Sequence, residues 1–113
     1  MKSFKILTLL LIAFSFQAIG QKEVKTIEIK VDGICEMCET RIENALDVKG
    51  IKMAEWSHST HICKIVYRED KISEDQIHHL INEAGHDTEK SKASDEAYAN
   101  VHGCCKYREH EDH

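Results

Sequence analysis

Two cysteines three positions apart, Cys35 and Cys38, are the residues whose type and spacing point most directly to chemistry. A strand-like run precedes them and a helix-like run follows, so Cys38 is expected in the first turn of a helix with Cys35 just before it. The positive end of a helix dipole favours a thiolate over a thiol at such a position. Two thiolates at this spacing can bind one soft metal ion, or oxidation can join them.

The two-sulfur site indicates which metals suit it. Cu(I) accepts soft donors at a low coordination number, whereas Zn²⁺ prefers about four ligands. A low coordination number also lets an incoming thiolate attack the ion without displacing many bonds, which suits a protein that transfers its metal. Cu(I) is therefore the expected ion, with Zn²⁺ or Hg²⁺ as alternatives.

The other three cysteines lie outside this pair. Cys63 is on the core-facing side of a predicted strand, so we expect a buried structural thiol there. Cys104 and Cys105 are adjacent, and the geometry of a disulfide makes a bridge between neighbours uncomfortable. Three interpretations stay open for them: they complete the first site, form a second soft-metal site with His102, or pair with the first two cysteines when metal is absent.

The first twenty residues predict a secretory signal peptide. Lys2 and Lys5 form a basic start, an apolar run follows, and small residues precede the expected cleavage after Gly20. The run is short for a membrane span, which needs ~20 apolar residues, although an uncleaved anchor is the alternative. We therefore expect export, to a periplasm or otherwise out of the cytoplasm.

Charge and cysteine count narrow the class of protein. The formal net charge is −5, and cleavage would remove two lysines and no acidic residue, which leaves −7. An acidic domain repels phosphate backbones, so a nucleic-acid partner is not expected.

Five cysteines are an odd number in an exported chain. Because an oxidising compartment usually pairs spare thiols, thiols that persist there are expected to have a metal or a redox partner.

Hydrophobic periodicity predicts an α+β fold. The predicted strands cover residues 24–31, 51–56, 61–67 and, weakly, 87–93. One helix follows Cys35, and a second begins at Ser73, where Gln76 completes a capping box, and ends at Gly85. The order β-α-β-β-α-β is that of a ferredoxin-like sandwich, with two helices on one face of a four-stranded antiparallel sheet. Residues 93–113 form a further tail containing Cys and His, too short for its own core, that docks on the domain or stays mobile.

The sequence resembles the heavy-metal-associated domain family of copper chaperones, periplasmic mercury-binding proteins and modules of metal-pumping ATPases. The resemblance covers about residues 24–92 and rests on these motifs: Gly33-x-Cys35-x-x-Cys38-x-x-x-Ile42-Glu43-x-Ala45-Leu46, Gly50-Ile51, Ile65-x-Tyr67 and Ser73 through Gly85. It implies that the two cysteines bind a soft metal in an exposed loop and pass it to a partner domain by ligand exchange.

The chain departs from the family pattern at three places. The loop before the cysteines is one residue shorter, and Ile34 stands near the place of the family's methionine. After the second helix, where the family often has Gly-Tyr or a lysine near the metal, this chain has Gly85-His86, which makes His86 a candidate third ligand. The Cys104-Cys105 pair lies outside the family pattern.

Two functions from different classes follow. The first is an exported, non-enzymatic metal carrier that binds Cu(I) at Cys35 and Cys38, with His86, Cys104 and Cys105 as further candidate ligands. Its expected partner is a metal-transporting membrane protein or another metal-binding domain, and no small-molecule substrate is expected. The second is a periplasmic thiol–disulfide redox protein that uses the same pair. Against it, the chain has no proline, so it lacks the Trp-Cys-x-Pro-Cys pattern of thioredoxin-like sites. A third interpretation is a metal sensor whose tail docks only when metal is bound.

Overall fold

A computed structural model describes residues 23–109. The elements are β1 (Val24–Lys30), α1 (Glu36–Ala45), β2 (Ile51–Trp56), β3 (Ile62–Arg68), α2 (Glu74–Glu83) and α3 (Asp95–Ala99), followed by two short 3₁₀ turns, Gly103–Cys105 and Tyr107–Glu109. The predicted signal peptide lies outside the described residues. Within residues 23–109, none of the helices is long and apolar enough to cross a membrane.

The sheet is antiparallel, with the strand order β1-β3-β2. Ile29 of β1 and Trp56 of β2 both pair with Cys63 of the central strand β3. Alternate residues of β3, Cys63, Ile65 and Tyr67, are buried, as the period of two in a strand with one covered face requires. The hydrophobic core packs on this face of the sheet.

Helices α1 and α2 both pack on the face of the sheet that carries Cys63, Ile65 and Tyr67. Ile42 of α1 and Ile77 and Ile81 of α2 are fully buried in the same cluster as the β3 side chains. The predicted capping box starts α2: the backbone N–H of Gln76 donates to the Ser73 hydroxyl at 3.1 Å, and the Ser73 N–H donates to the Gln76 side chain at 2.9 Å. The predicted capping box and the predicted α+β fold, with helices and an antiparallel sheet, are both present.

The predicted fourth strand over 87–93 is wrong. In the described residues this segment contributes one isolated antiparallel bridge, between Thr88 and Val31. The Thr88 hydroxyl oxygen then accepts hydrogen bonds from the backbone N–H groups of Lys90, at 3.2 Å, and Ser91, at 3.1 Å. This local turn draws the chain away from the sheet, because side-chain-to-backbone bonds of this kind compete with strand pairing.

The tail, whose docking the sequence left open, packs on the domain. Val101, Cys105 and Tyr107 are buried, and the first two join the main core cluster. Gly85 permits the close approach: its φ is +99°, and a Cβ there would lie 2.5 Å from a methyl carbon of Val101 and 2.7 Å from the carbonyl oxygen of Ala97. A glycine at the end of α2 thus allows the tail to lie directly against it.

Polar contacts hold the end of the tail in place. The Tyr107 hydroxyl donates to the Gly85 carbonyl at 2.7 Å and accepts from the Asp87 N–H at 2.9 Å. The Arg108 guanidinium donates to both carboxylate oxygens of Asp87, at 2.7 and 3.2 Å, and to the Ala93 carbonyl at 2.8 Å. Burial raises the pKa of Asp87, but the bonds from Arg108 and the Ala93 N–H outweigh it, so the net shift is downward. The carboxylate is therefore charged when the tail is docked.

Candidate metal centre

The two cysteines of the Cys-x-x-Cys motif lie at the start of α1, as predicted. Cys35 is the N-cap and Cys38 is the third helical residue, whose backbone N–H donates to the Cys35 carbonyl at 3.0 Å. Their sulfur atoms are 3.7 Å apart. Cys38 is fully buried, whereas Cys35 is partly exposed. The backbone N–H of Ile34 also donates to the Cys38 sulfur at 3.4 Å. The helix start therefore places two thiols together, and the loop before it directs one backbone N–H at the Cys38 sulfur.

The loop before the two cysteines packs tightly against Trp56 at Gly33. A Cβ on Gly33 would lie 2.9 Å from the indole ring of Trp56 and 3.1 Å from the Cβ of Cys38. The indole N–H donates to the Val31 carbonyl at 3.0 Å, which fixes the ring at the end of β1. Because only a glycine fits between this ring and Cys38, the loop packs tightly before it reaches the cysteines.

The docked tail brings two more thiols to the same place. The sulfur of Cys35 lies 3.3 Å from that of Cys105 and 3.3 Å from that of Cys104. Cys105 is fully buried, and the sulfurs of Cys35, Cys38 and Cys105 all lie within 4.8 Å of one another. We call these three residues the inner trio. Cys104 is exposed and stands outside it.

The spacing of the inner trio suits a soft metal ion. At a metal–sulfur distance of about 2.3 Å, three sulfurs in a plane around one ion stand about 4.0 Å apart. The 3.7 and 3.3 Å separations need to open by about 0.3 and 0.7 Å to reach that value. Thiolates are the preferred donors of Cu(I) and other soft ions, so the residues present fit such an ion.

The pKa values of the Cys35, Cys104 and Cys105 thiols are shifted in different directions. Partial burial raises the pKa of Cys35, but hydrogen bonds from the Cys38 backbone N–H and from the thiols of Cys104, Cys105 and Cys38 outweigh it and lower the pKa to about 7. Burial and the hydrogen bonds to Cys38 and Cys35 raise the pKa of Cys105. The hydrogen bond to Cys35 and some burial raise that of Cys104. Cys35 is therefore the better nucleophile of these three at neutral pH.

His86 is close to the tail and is not part of the inner trio. Its Nδ1–H donates to the Asp32 carbonyl at 2.8 Å, and its ring stacks on Tyr107 at 5.4 Å between centroids. The side chain is fully buried. Burial and the nearby charge of Arg41 lower its pKa, which keeps the imidazole neutral.

The structure adds one sulfur that the sequence analysis did not single out. The thioether of Met37 lies 3.4 Å from the thiol of Cys104. Met37 is 44% exposed, on the outer side of the first turn of α1. The sequence did contain a signal for this residue: Met37 lies within the Cys-x-x-Cys motif, and its thioether is a soft donor of a kind that also binds Cu(I).

Cys63, by contrast, is where the sequence placed it: it is fully buried in β3, and burial and the Glu43 charge raise its pKa to about 12.

Solved structures with a similar fold include a metallochaperone and a copper-binding domain. The metallochaperone CopZ matches with a TM-score of 0.55 and 23% identity over 57% of this chain and 98% of its own. Oxidized MerP from Ralstonia metallidurans CH34 matches with a TM-score of 0.56 and 19% identity over 58% of this chain and 94% of its own. A copper-binding domain from HMA7, a P-type ATPase, matches with a TM-score of 0.54 and 25% identity over 61% of this chain and 92% of its own.

This chain has the fold of heavy-metal-associated domains. Neither the protein-family models nor the curated proteins give a match to the sequence, so the relationship rests on structure and on the motif. The pair Cys35 and Cys38 fits the Cys-x-x-Cys motif of these domains. The sheet of this heavy-metal-associated fold has three strands in residues 23–109, and a tail carries two further thiols to the motif.

Proposed function

We propose that this protein binds one Cu(I) ion, or another soft ion such as Hg²⁺, between the sulfurs of Cys35, Cys38 and Cys105. The observation that carries the proposal is the convergence of three thiols, two from the start of α1 and one from the tail, within 4.8 Å. The fold supports it, since two solved structures with this fold are a metallochaperone and a copper-binding domain. Binding and release of an ion require no catalytic step.

Ionisation of the thiols makes the site favour a cation. Each thiol gives its proton to solvent when its sulfur binds the ion, so binding releases protons. Cys35, with a pKa of about 7, is already partly ionised at neutral pH. The positive end of the α1 dipole and the N–H of Ile34, 3.4 Å from the Cys38 sulfur, stabilise the negative charge that the thiolates retain. The chain thus prefers a cation that accepts several thiolates.

The exposed side of the site suits transfer by ligand exchange. Cys35 is partly exposed, and the turn that carries Cys104 lies at the surface. An incoming thiolate can bind the ion from this side while a tail thiol leaves, so the ion never loses all its ligands. The acceptor on this proposal is another metal-binding domain or a metal-transporting membrane protein. We further propose that the chain acts after export, with its first twenty residues removed.

Copper binding by serine variants tests the proposal. Cys35→Ser and Cys38→Ser are each expected to abolish tight Cu(I) binding in anaerobic competition with a chromophoric chelator. Cys63→Ala removes a buried thiol of β3 and is the matched control, which should keep wild-type affinity. Circular dichroism checks that each variant is folded. Equal copper affinity in the wild type and both serine variants would refute the proposal.

A redox function is the second candidate, because the Cys35 sulfur has a pKa of about 7 and lies 3.3 Å from two other thiols. Such a thiolate can attack a disulfide. An insulin-reduction assay separates the two functions: a metal carrier shows tight copper binding and negligible turnover. Turnover that depends on Cys35, without tight copper binding, would establish the redox protein instead.

A further inference from the structure

The geometry points to a second soft-metal site on the solvent side of the first, formed by Cys35, Cys104 and Met37. We propose that the protein binds two Cu(I) ions, with the Cys35 thiolate shared between them. This inference rests on the proposed function, since it presupposes that the inner trio binds Cu(I). We call Cys35, Cys104 and Met37 the outer trio.

The sulfur distances define the outer trio. The Cys104 sulfur lies 3.3 Å from that of Cys35 and 3.4 Å from that of Met37. These separations resemble the 3.3 and 3.7 Å that join Cys35 to its partners in the inner trio. Two thiols and a thioether are all soft donors, so the set favours Cu(I) over Zn²⁺, which binds thioethers poorly.

The sulfur atoms form a buried group and an exposed group, and Cys35 lies between the two. Cys38 and Cys105 are fully buried, whereas Cys104 is exposed and Met37 is 44% exposed. Cys35 is partly exposed and contacts a member of each group. An open groove lined by Met37 and His102 gives solvent access beside the outer trio. One ion can therefore be enclosed while a second stays within reach of solvent.

The charge of the site also permits a second ion. One Cu(I) with three thiolates carries a net charge of −2. A second Cu(I) brings one positive charge, and Cys104 gives one proton to solvent as its thiolate binds, so the net charge stays −2. No electron moves, and no co-reactant is needed. The exposed methionine thereby has a function: it supplies a third donor without adding negative charge.

Copper stoichiometry tests the second site. Native mass spectrometry and anaerobic titration against a chromophoric chelator are expected to give two tightly bound Cu(I) ions per monomer of the purified wild-type protein. Met37→Leu and Cys104→Ser should each keep the first ion at wild-type affinity and weaken the second at least tenfold. X-ray absorption on the doubly loaded wild type should show copper–copper scattering, which Cys104→Ser removes.

A matched control is Met53→Leu, at a methionine of β2, which should keep both ions; circular dichroism checks the fold of each variant. One ion in the wild type and in all variants would overturn the second site but leave the proposed function standing. No tight ion in the wild type would overturn both. If Cys104→Ser weakens the first ion as well, one ion uses all four thiols and the shared-thiolate site is wrong. A second ion that appears only in dimers would also overturn it.

Discussion

Tyr107→Phe removes one oxygen atom and tests whether the tail is fixed to the domain as the structure shows. The hydroxyl donates to the Gly85 carbonyl at 2.7 Å and accepts from the Asp87 N–H at 2.9 Å, and both bonds are buried. The ring itself is fully buried between His86 and Tyr98, and phenylalanine would keep those contacts. The substitution therefore separates the two hydrogen bonds from the packing of the ring.

The expected loss of stability follows from the two groups left behind. A buried donor or acceptor without its partner costs ~1–3 kcal/mol. Loss of the Tyr107 hydroxyl leaves one of each, and some relaxation will reduce the sum, so we expect the free energy of unfolding to fall by about 2–4 kcal/mol. Because the same tail carries Cys105, any population with an undocked tail should bind Cu(I) more weakly, in proportion to the docked fraction that remains.

Urea unfolding followed by circular dichroism measures the loss, and the slope with denaturant checks that the transition is still cooperative. Tyr67→Phe is the matched control: Tyr67 is buried in β3, and its hydroxyl has no hydrogen-bond partner among residues 23–109. That variant should lose less than about 0.5 kcal/mol. A loss below 0.5 kcal/mol for Tyr107→Phe as well would refute the docked position of the tail.

Three further predictions concern the core and the tail. Cys63→Ala should destabilise the fold by about 1–2 kcal/mol, measured by urea unfolding, and leave copper stoichiometry unchanged; a lost copper ion would contradict its structural role. Gly85→Ala should cost about 2–4 kcal/mol, because it adds a Cβ at φ +99° that meets Val101; a neutral effect would contradict the close approach of the tail. Burial first, and then the charge of Arg41, lower the pKa of His86 from its ordinary 6.5. The unfolded chain then binds more protons as the pH falls through 6.5, so the urea midpoint should fall from pH 6.5 to 5. An unchanged midpoint would show that His86 does not titrate differently on unfolding.

Local patterns in the sequence sufficed for most of the domain. The alternation of β3 and the capping box at Ser73 are decided by residues a few positions apart, and both are present in the structure. The position of Cys35 and Cys38 at the start of α1 follows from the same local rules. The strand predicted over 87–93 failed because the Thr88 hydroxyl forms a turn with its own neighbours, a bond that competes with sheet pairing.

The tail is different, because contacts distant in sequence decide its position. Tyr107 bonds to Gly85, and Arg108 bonds to Asp87, across about twenty residues and without any periodic pattern. The convergence of Cys105 on Cys35 spans 70 residues. Sequence reasoning could therefore name these cysteines as candidates, but only the folded chain places them together and buries His86 beneath Tyr107.

The coordination number of copper in protein loaded with one equivalent of Cu(I) tests the central claim most directly. X-ray absorption at the copper edge should show three sulfur neighbours in the wild type and two in Cys105→Ser, while Cys63→Ala keeps three. Two sulfur neighbours in the wild type, unchanged in Cys105→Ser, would contradict the account. The tail thiol would then lie beside the motif without binding its metal.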